Sequence, residues 1–372
     1  MGQGSNHYSM FKPLLKLALV FAFAAATTSV TMSARPAAGV AGPPLTSIGA
    51  LAFAADGTMF AADPQAATIY AVDLSTTGTA AAGTKDVPSL DQKIAALLGT
   101  DVPQIAIRDV AVHPKSHNTF VSVMRGTGAS AQPALVRVDG SGAIDLVKLD
   151  SAKFSSVTLP NPPAVATTGR SNRSQSITRM ALVDGKLYVT GLSNEEFASK
   201  FWAIPYPFAS ADQGTSVEIW HTSHARFETN APILTFVTNK TAGQTSFIAG
   251  YTCTPLVRFP IADLKPGAKV RGTTIAELGA GNRPIDMLVY NKGGQDFLLM
   301  SNTSRGVMKI PTRDFATATP ITTPVTRETG GIPYETIASM RGIEQMDLLD
   351  AQNSIVLART QAGLNLQVVP LP

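Results

Sequence analysis

Two of the five histidines lie three residues apart, in His221-Thr-Ser-His224-Ala-Arg-Phe-Glu228. On a tight loop that spacing sets two imidazoles and the oxygen of Glu228 about one cation, and copper or zinc suits such donors. The Glu that adjoins the first His of a metalloprotease helix is missing. A hydrogen-bonded loop is the alternative, and Arg226 beside the pair would equally suit an anion. Further on, Gly250-Tyr-Thr-Cys253 puts Tyr251 and the lone cysteine two apart, on one side of a strand. Cys253 reads as a buried small hydrophobe, or as a sulfur ligand completing a copper site with His221 and His224. His113 and His117 share a turn with Pro114 and Asn118 and read as surface residues.

A second set of candidates interrupts otherwise apolar strands: Arg108 and Asp109, Thr178 and Arg179, Asp286, and Glu344 with Gln345. Buried charge is costly unless paired. These residues therefore either pair across a central space and close it, or form a mixed-charge funnel for a small anion, sugar or metal ion. The chain has no Gly-rich phosphate loop, no Gly-x-Ser-x-Gly elbow and no Cys-x-x-Cys-His haem site. A Ser-His-Asp triad, which assembles in space, stays open.

The elements that must position these groups come from an internal repeat. An Ile-led strand, a turn rich in Gly, Asp or Asn, and a second apolar strand recur from Ile48, Ile107, Ile177, Pro232, Ile285 and Ile343. Asp56-Gly57, Asp184-Gly185 and Gly293-Gly294 supply the turn chemistry of tight hairpins. A strand such as Ala50-Leu-Ala-Phe53 lacks a polar face, which suits sheets covered on both sides. The pattern predicts an all-β fold over 45–372, a single β-propeller of six blades, with a seven-bladed count or a β-sandwich as alternatives. The period exceeds a minimal blade, and the surplus falls in 84–104, 150–174 and 205–230, read as insertions.

Composition agrees. Charged residues are 15% and apolar residues 44%, with abundant Gly and Pro, as many short strands and turns require. The net charge of +4 includes Lys12 and Lys16, and the chain has no basic run, so nucleic acid is not an expected partner. One cysteine excludes an internal disulfide framework. Lys12 and Lys16 precede the apolar run Leu17–Ala26, and no acidic residue occurs before Asp56. These features predict a signal peptide over 1–26 and a flexible leader over 27–44, hence a secreted or periplasmic protein. An uncleaved anchor is the alternative, but the run is shorter than the ~20 residues of a membrane span.

Blade one, Ile48-Gly-Ala-Leu-Ala-Phe-Ala-Ala-Asp-Gly-Thr-Met-Phe-Ala-Ala-Asp63 followed by Ile69-Tyr-Ala-Val-Asp73, resembles the six-bladed propellers of the NHL-repeat and gluconolactonase type. The resemblance implies a channel in which carboxylate and Asn side chains hold a divalent ion, usually calcium. Asp286 and Glu344 are the inner-strand carboxylates available as oxygen ligands. The Glu implied on the first inner strand is replaced by Gly49 and Ala50, and the inner-strand positions carry no Asn. The leading expectation is an exported propeller that binds a small-molecule ligand or metal ion at its funnel, through residues among Arg108, Asp109, Arg179, Arg226, Tyr251, Asp286 and Glu344. A metal-dependent hydrolase of the lactonase or phosphotriesterase kind and a scaffold for a protein partner are the alternatives.

Overall fold

The computed structural model describes residues 1, 42–78, 80–165, 171–241, 243–253, 255–325 and 328–372. The segments assigned above to a signal peptide and leader fall almost wholly outside them. Six sheets form the six blades of a β-propeller. The inner strands, one per blade in chain order, are Leu51–Phe53, Ile105–Val112, Arg179–Val183, Ile233–Thr241, Pro284–Lys292 and Ile343–Leu348. All lie within three residues of the starts read from the repeat. Among the described residues no helix is long and apolar enough to cross a membrane.

Each blade is cemented to the next by side chains from both facing sheets. Phe201 of blade three stacks on Phe247 of blade four with ring centroids 5.3 Å apart, and Phe236 meets both rings edge-on. Between blades five and six, Leu288 and Leu299 pack on Met346 and Val356. Burying each such side chain contributes roughly 1.5–3 kcal/mol, so the six interfaces supply the bulk of the driving force.

The order of blades around the ring departs from their order in the chain. Blade one packs on blade two through Leu51 and Met59 against Ala111 and Phe120. Its other face meets blade three, where Phe60 and Ile69 touch Met180, Leu187 and Trp202. Blade two meets blade six through Val110 and Val121 against Ile355 and Leu357. The ring therefore runs two, one, three, four, five, six. Two of the apparent insertions are the connections this order requires. Residues 84–104 run along blade six, where Val87 pairs with Leu366 and the helix Leu90–Leu97 buries Leu90 and Ile94. Residues 150–174 return from blade two and lay Phe154–Thr158 on the outer edge of blade one as its fourth strand. The third, 205–230, holds Thr215–His221 and Arg226–Glu228, an outer hairpin of blade three.

Candidate functional site

Two regions concentrate the charged and ligating side chains: the propeller axis and the outer hairpin of blade three.

On the axis, the inner strands of blades two, four, five and six slip register after Ile107, Ile233, Pro284 and Ile343, before Asp109, Thr235, Asp286 and Gln345. A β-bulge re-aims the extra residue, and here that residue is Arg108, Leu234, Ile285 or Glu344. The three last line a cavity of about 500 Å³ on the side where the inner strands enter, together with Ile107, Thr178 and Arg283.

Beneath the cavity the axis is closed. Arg179 of blade three reaches Asp109 of blade two (Nη1 to Oδ1, 3.2 Å) and Asp286 of blade five (Nη2 to Oδ1, 3.0 Å). The same carboxylates tie the ring together. Leu51 N–H donates to Asp109 at 2.7 Å, Met346 N–H to Asp286 at 3.0 Å, and Val112 N–H to Asp347 at 2.7 Å. Each bond joins an inner strand to its neighbour in the ring. One guanidinium faces three carboxyls, so the layer cannot be neutral with all of them ionised. Burial, with the charge of Asp286 nearby, pushes Asp109 up to about 7 although Arg179 opposes the shift. Asp347, which keeps some solvent contact, is raised by burial to about 6, and Asp286 is raised for the same reason. For Arg179 burial favours the neutral form, but Asp286 and Asp109 outweigh it and hold the guanidinium charged. A second cavity of about 450 Å³, lined by Val112, Arg179 and Asp347 among others, lies on the exit side.

The structure thus joins Asp109, Arg179 and Asp286, adds Asp347 to them, and leaves Glu344 apart. Both Glu344 oxygens are held by Arg359, at 2.7 and 2.9 Å, and Arg359 also reaches Asp91 of the helix at 3.3 Å. Asp286, wholly buried, and Glu344 therefore serve different partners rather than one ion. Arg108 is exposed, and among the described residues neither it nor Arg283 has an ion-pair partner. Arg283 escaped the sequence reading because it lies before Pro284, outside the repeat copy that starts at Ile285.

In blade three, Thr215–His221 and Arg226–Glu228 pair antiparallel, with Ile219 opposite Glu228 and His221 opposite Arg226. Alternation along both strands places His221, Arg226 and Glu228 on one face. Trp220 and Phe227 stand on the other, edge to face at 5.2 Å. The 3-10 turn Thr222–His224, followed by Ala225 in the left-handed region (φ 52°), folds His224 back over His221, with ring centroids 4.1 Å apart. One carboxylate serves both rings: Glu228 Oε2 lies 2.6 Å from His221 Nδ1 and Oε1 lies 2.8 Å from His224 Nδ1. Arg226 Nε donates to Oε1 at 2.9 Å. Glu228 is held down at about 2, its burial outweighed by these three donors. His221 titrates below its ordinary value because burial outweighs the pull of Glu228. Thr222 hydroxyl donates to Glu277 of blade four, pinning the turn.

Cys253 approaches from the turn between Gln244–Tyr251 and Pro255–Pro260 of blade four. One nitrogen of His221, one of His224 and Cys253 Sγ all lie within 4.8 Å of one another. Tyr251, by contrast, ends its strand inside the core between blades three and four, and the chain then turns at Cys253. The alternation that would have put both on one side stops there.

No family model matches the chain, and no curated protein matches it. Solved structures do. The extracellular domains 1–2 of Drosophila semaphorin 1b are 11% identical, over 92% of this chain and 88% of that one, with a TM-score of 0.37. Virginiamycin B lyase from Staphylococcus aureus is 11% identical, over 88% and 96%, with a TM-score of 0.36. The PQQ-bound aldose sugar dehydrogenase from Streptomyces coelicolor is 14% identical, over 91% and 98%, with a TM-score of 0.28. Identities and scores this low say nothing of ligand or activity, and the propeller assignment stands on the six sheets themselves.

Proposed function

We propose that this protein is an exported propeller that binds a small organic anion at the entry-side mouth of its axis. The observation that carries the reading is the cavity of about 500 Å³ with Arg283 on its wall. Its volume falls in the range of small-molecule sites. Leu234, Pro284 and Ile285 give it apolar walls, while Gln175, Thr178, Thr303 and Gln345 offer hydrogen bonds. The charges below and beside it are satisfied, Arg179 by Asp109 and Asp286, Glu344 by Arg359. That leaves Arg283 to attract an anion. A guanidinium matches the two oxygens of a carboxylate in a fork. An exported protein meets such solutes directly, consistent with the signal read in the sequence. The hydrolase alternative draws no support from Asp286 and Glu344, whose carboxylates are committed elsewhere.

The test is calorimetric titration of the purified protein with a panel of mono- and dicarboxylates and sugar acids. At least one should bind, and Arg283→Gln should weaken it by about tenfold or more, the worth of one charge-assisted hydrogen bond. If nothing in the panel binds, or Arg283→Gln binds as tightly as the parent, the reading fails. The salt-bridged propeller is then better regarded as a platform for a protein partner.

A further inference from the structure

The bonds left unmade at the histidine hairpin point away from the axis. His221 is 2% exposed, and its Nδ1 is occupied by Glu228. Its Nε2 is buried with no hydrogen-bond partner. Leaving a buried polar nitrogen unsatisfied costs about 1–3 kcal/mol, and native structures tolerate this rarely. The surroundings of the ring supply a reason. A second imidazole and a thiol stand within one ion's reach, brought by two different blades. Cys253 itself sits at φ 62°, a left-handed conformation that non-glycine residues seldom adopt and that glycine would take without strain.

We propose that His221, His224 and Cys253 form an off-axis site for a transition-metal cation of the zinc type, bound by two imidazoles and a thiolate, with Glu228 as the residue that positions both rings. This goes beyond the anion site and does not depend on it. The donor set is soft enough to refuse calcium and magnesium, which take oxygen ligands. Three protein ligands leave a fourth, open position, as in zinc sites that admit water or a small ligand. A metal-bound histidine usually gives its other N–H to a carboxylate, which fixes the tautomer and strengthens the nitrogen donor. Glu228 does this for two rings at once and is therefore a second layer of the site. Zinc bonds of about 2.0–2.3 Å bring ligand atoms to roughly 3.3–3.8 Å of one another. The cluster, whose ligand atoms lie within 4.8 Å of one another, must thus tighten by no more than about 1.5 Å. His224, whose side chain is 46% exposed, and the Cys253 turn are free to supply that movement, while His221 stays fixed.

The protein should be stripped with a chelator, its fold checked by circular dichroism, and titrated with Co(II) as a spectroscopic stand-in for zinc, then with Zn(II) in competition. The expected result is one equivalent of Co(II) with a thiolate charge-transfer band and tetrahedral ligand-field bands, displaced by one equivalent of Zn(II). Cys253→Ser, a half-buried turn position that should not disturb folding, must abolish the charge-transfer band. Glu228→Gln should keep that band but weaken binding by about 10–100-fold, the usual cost of losing such a partner. Failure of the folded parent to bind an equivalent overturns the proposal, as does a Cys253→Ser protein with the parent's spectrum. Preference for copper with Co(II) and Zn(II) excluded would overturn the assignment of cation type.

Discussion

The axial layer and the histidine hairpin are built from the same ingredients, buried carboxylates facing basic groups, yet they are finished differently. On the axis Arg179, Asp109 and Asp286 bond across to other blades, the two aspartates also to their own strands, and the layer works as a hub. In the hairpin one carboxylate collects three donors and leaves the far nitrogen of His221 with nothing. The axis holds too much negative charge and stays closed, whereas the hairpin is balanced and stays open. A saturated cluster holds a fold together, and an unsaturated one is prepared for something outside it.

The sharpest way to break this contrast is to remove the hub's cation. Arg179→Met keeps much of the side-chain volume but strands Asp109 and Asp286 without a counter-charge. Breaking a buried pair from one side typically costs about 3–5 kcal/mol, because the remaining charge is left uncompensated. Urea unfolding should show a loss of that size. A loss under about 1 kcal/mol, the range of an exposed pair, would mean that the axis is wetter and less important than its geometry implies.

A smaller effect follows from proton balance in the same layer. A carboxyl with a folded-state pKa above its unfolded value binds protons more tightly in the folded protein. Its contribution favours folding in acid and is lost as pH rises from the unfolded value to the folded one. With Asp347 raised to about 6 and Asp109 to about 7 from an ordinary aspartate value near 4, stability should decline as pH rises between roughly 4 and 7 and level off above that. A tenfold difference in proton affinity between the folded and unfolded chains corresponds to about 1.4 kcal/mol, so a decline on the order of a few kcal/mol is expected. Asp109→Asn keeps an acceptor for Leu51 N–H and removes one titrating group, and should flatten the slope. If its pH profile runs parallel to the parent's, Asp109 is already ionised at neutral pH and the excess charge is neutralised some other way.

How far these regions could be read from sequence depends on the range of the forces that made them. The repeat is a local signal: hairpin turns and apolar strands recur because each blade repeats the same problem of burial on two faces. Blade number and inner-strand positions were therefore legible, whereas of the charges in those strands Arg179 and Asp286 pair across the axis while Arg108 stays exposed and Glu344 pairs with Arg359. Ring order was not. Nothing local in 150–174 says that its strand pairs with residues 68–72 rather than looping over the surface. The helix at 90–97 was lost inside a supposed insertion, though Leu90, Ile94 and Leu98 recur at helical spacing. In the hairpin, spacing brought His221, His224 and Glu228 together correctly, but it could not tell ligand from positioning residue. That distinction depends on which ring nitrogen the carboxylate occupies. The slipped register that sets Glu344 on the mouth cavity while Asp109 and Asp286 turn into the axial layer also leaves no mark in the residues themselves.

The finest test of the contrast lies in the weakest of the three donors on Glu228. Arg226 has a side chain 68% exposed, so its ion pair is screened by solvent despite a 2.9 Å separation. Exposed pairs of this kind contribute about 0–1 kcal/mol. Arg226→Ala should therefore change the unfolding midpoint only slightly. The two imidazole bonds to Glu228 differ in kind, because they fix rings that must present their other nitrogens to an ion. Arg226→Ala should accordingly leave Co(II) affinity within about threefold of the parent, under 1 kcal/mol, while Glu228→Gln does not. If Arg226→Ala instead cost as much affinity as Glu228→Gln, the carboxylate would be held in place by the arginine. The hairpin would then be a charge cluster of the same saturated type as the axis, and the difference between the two regions would vanish.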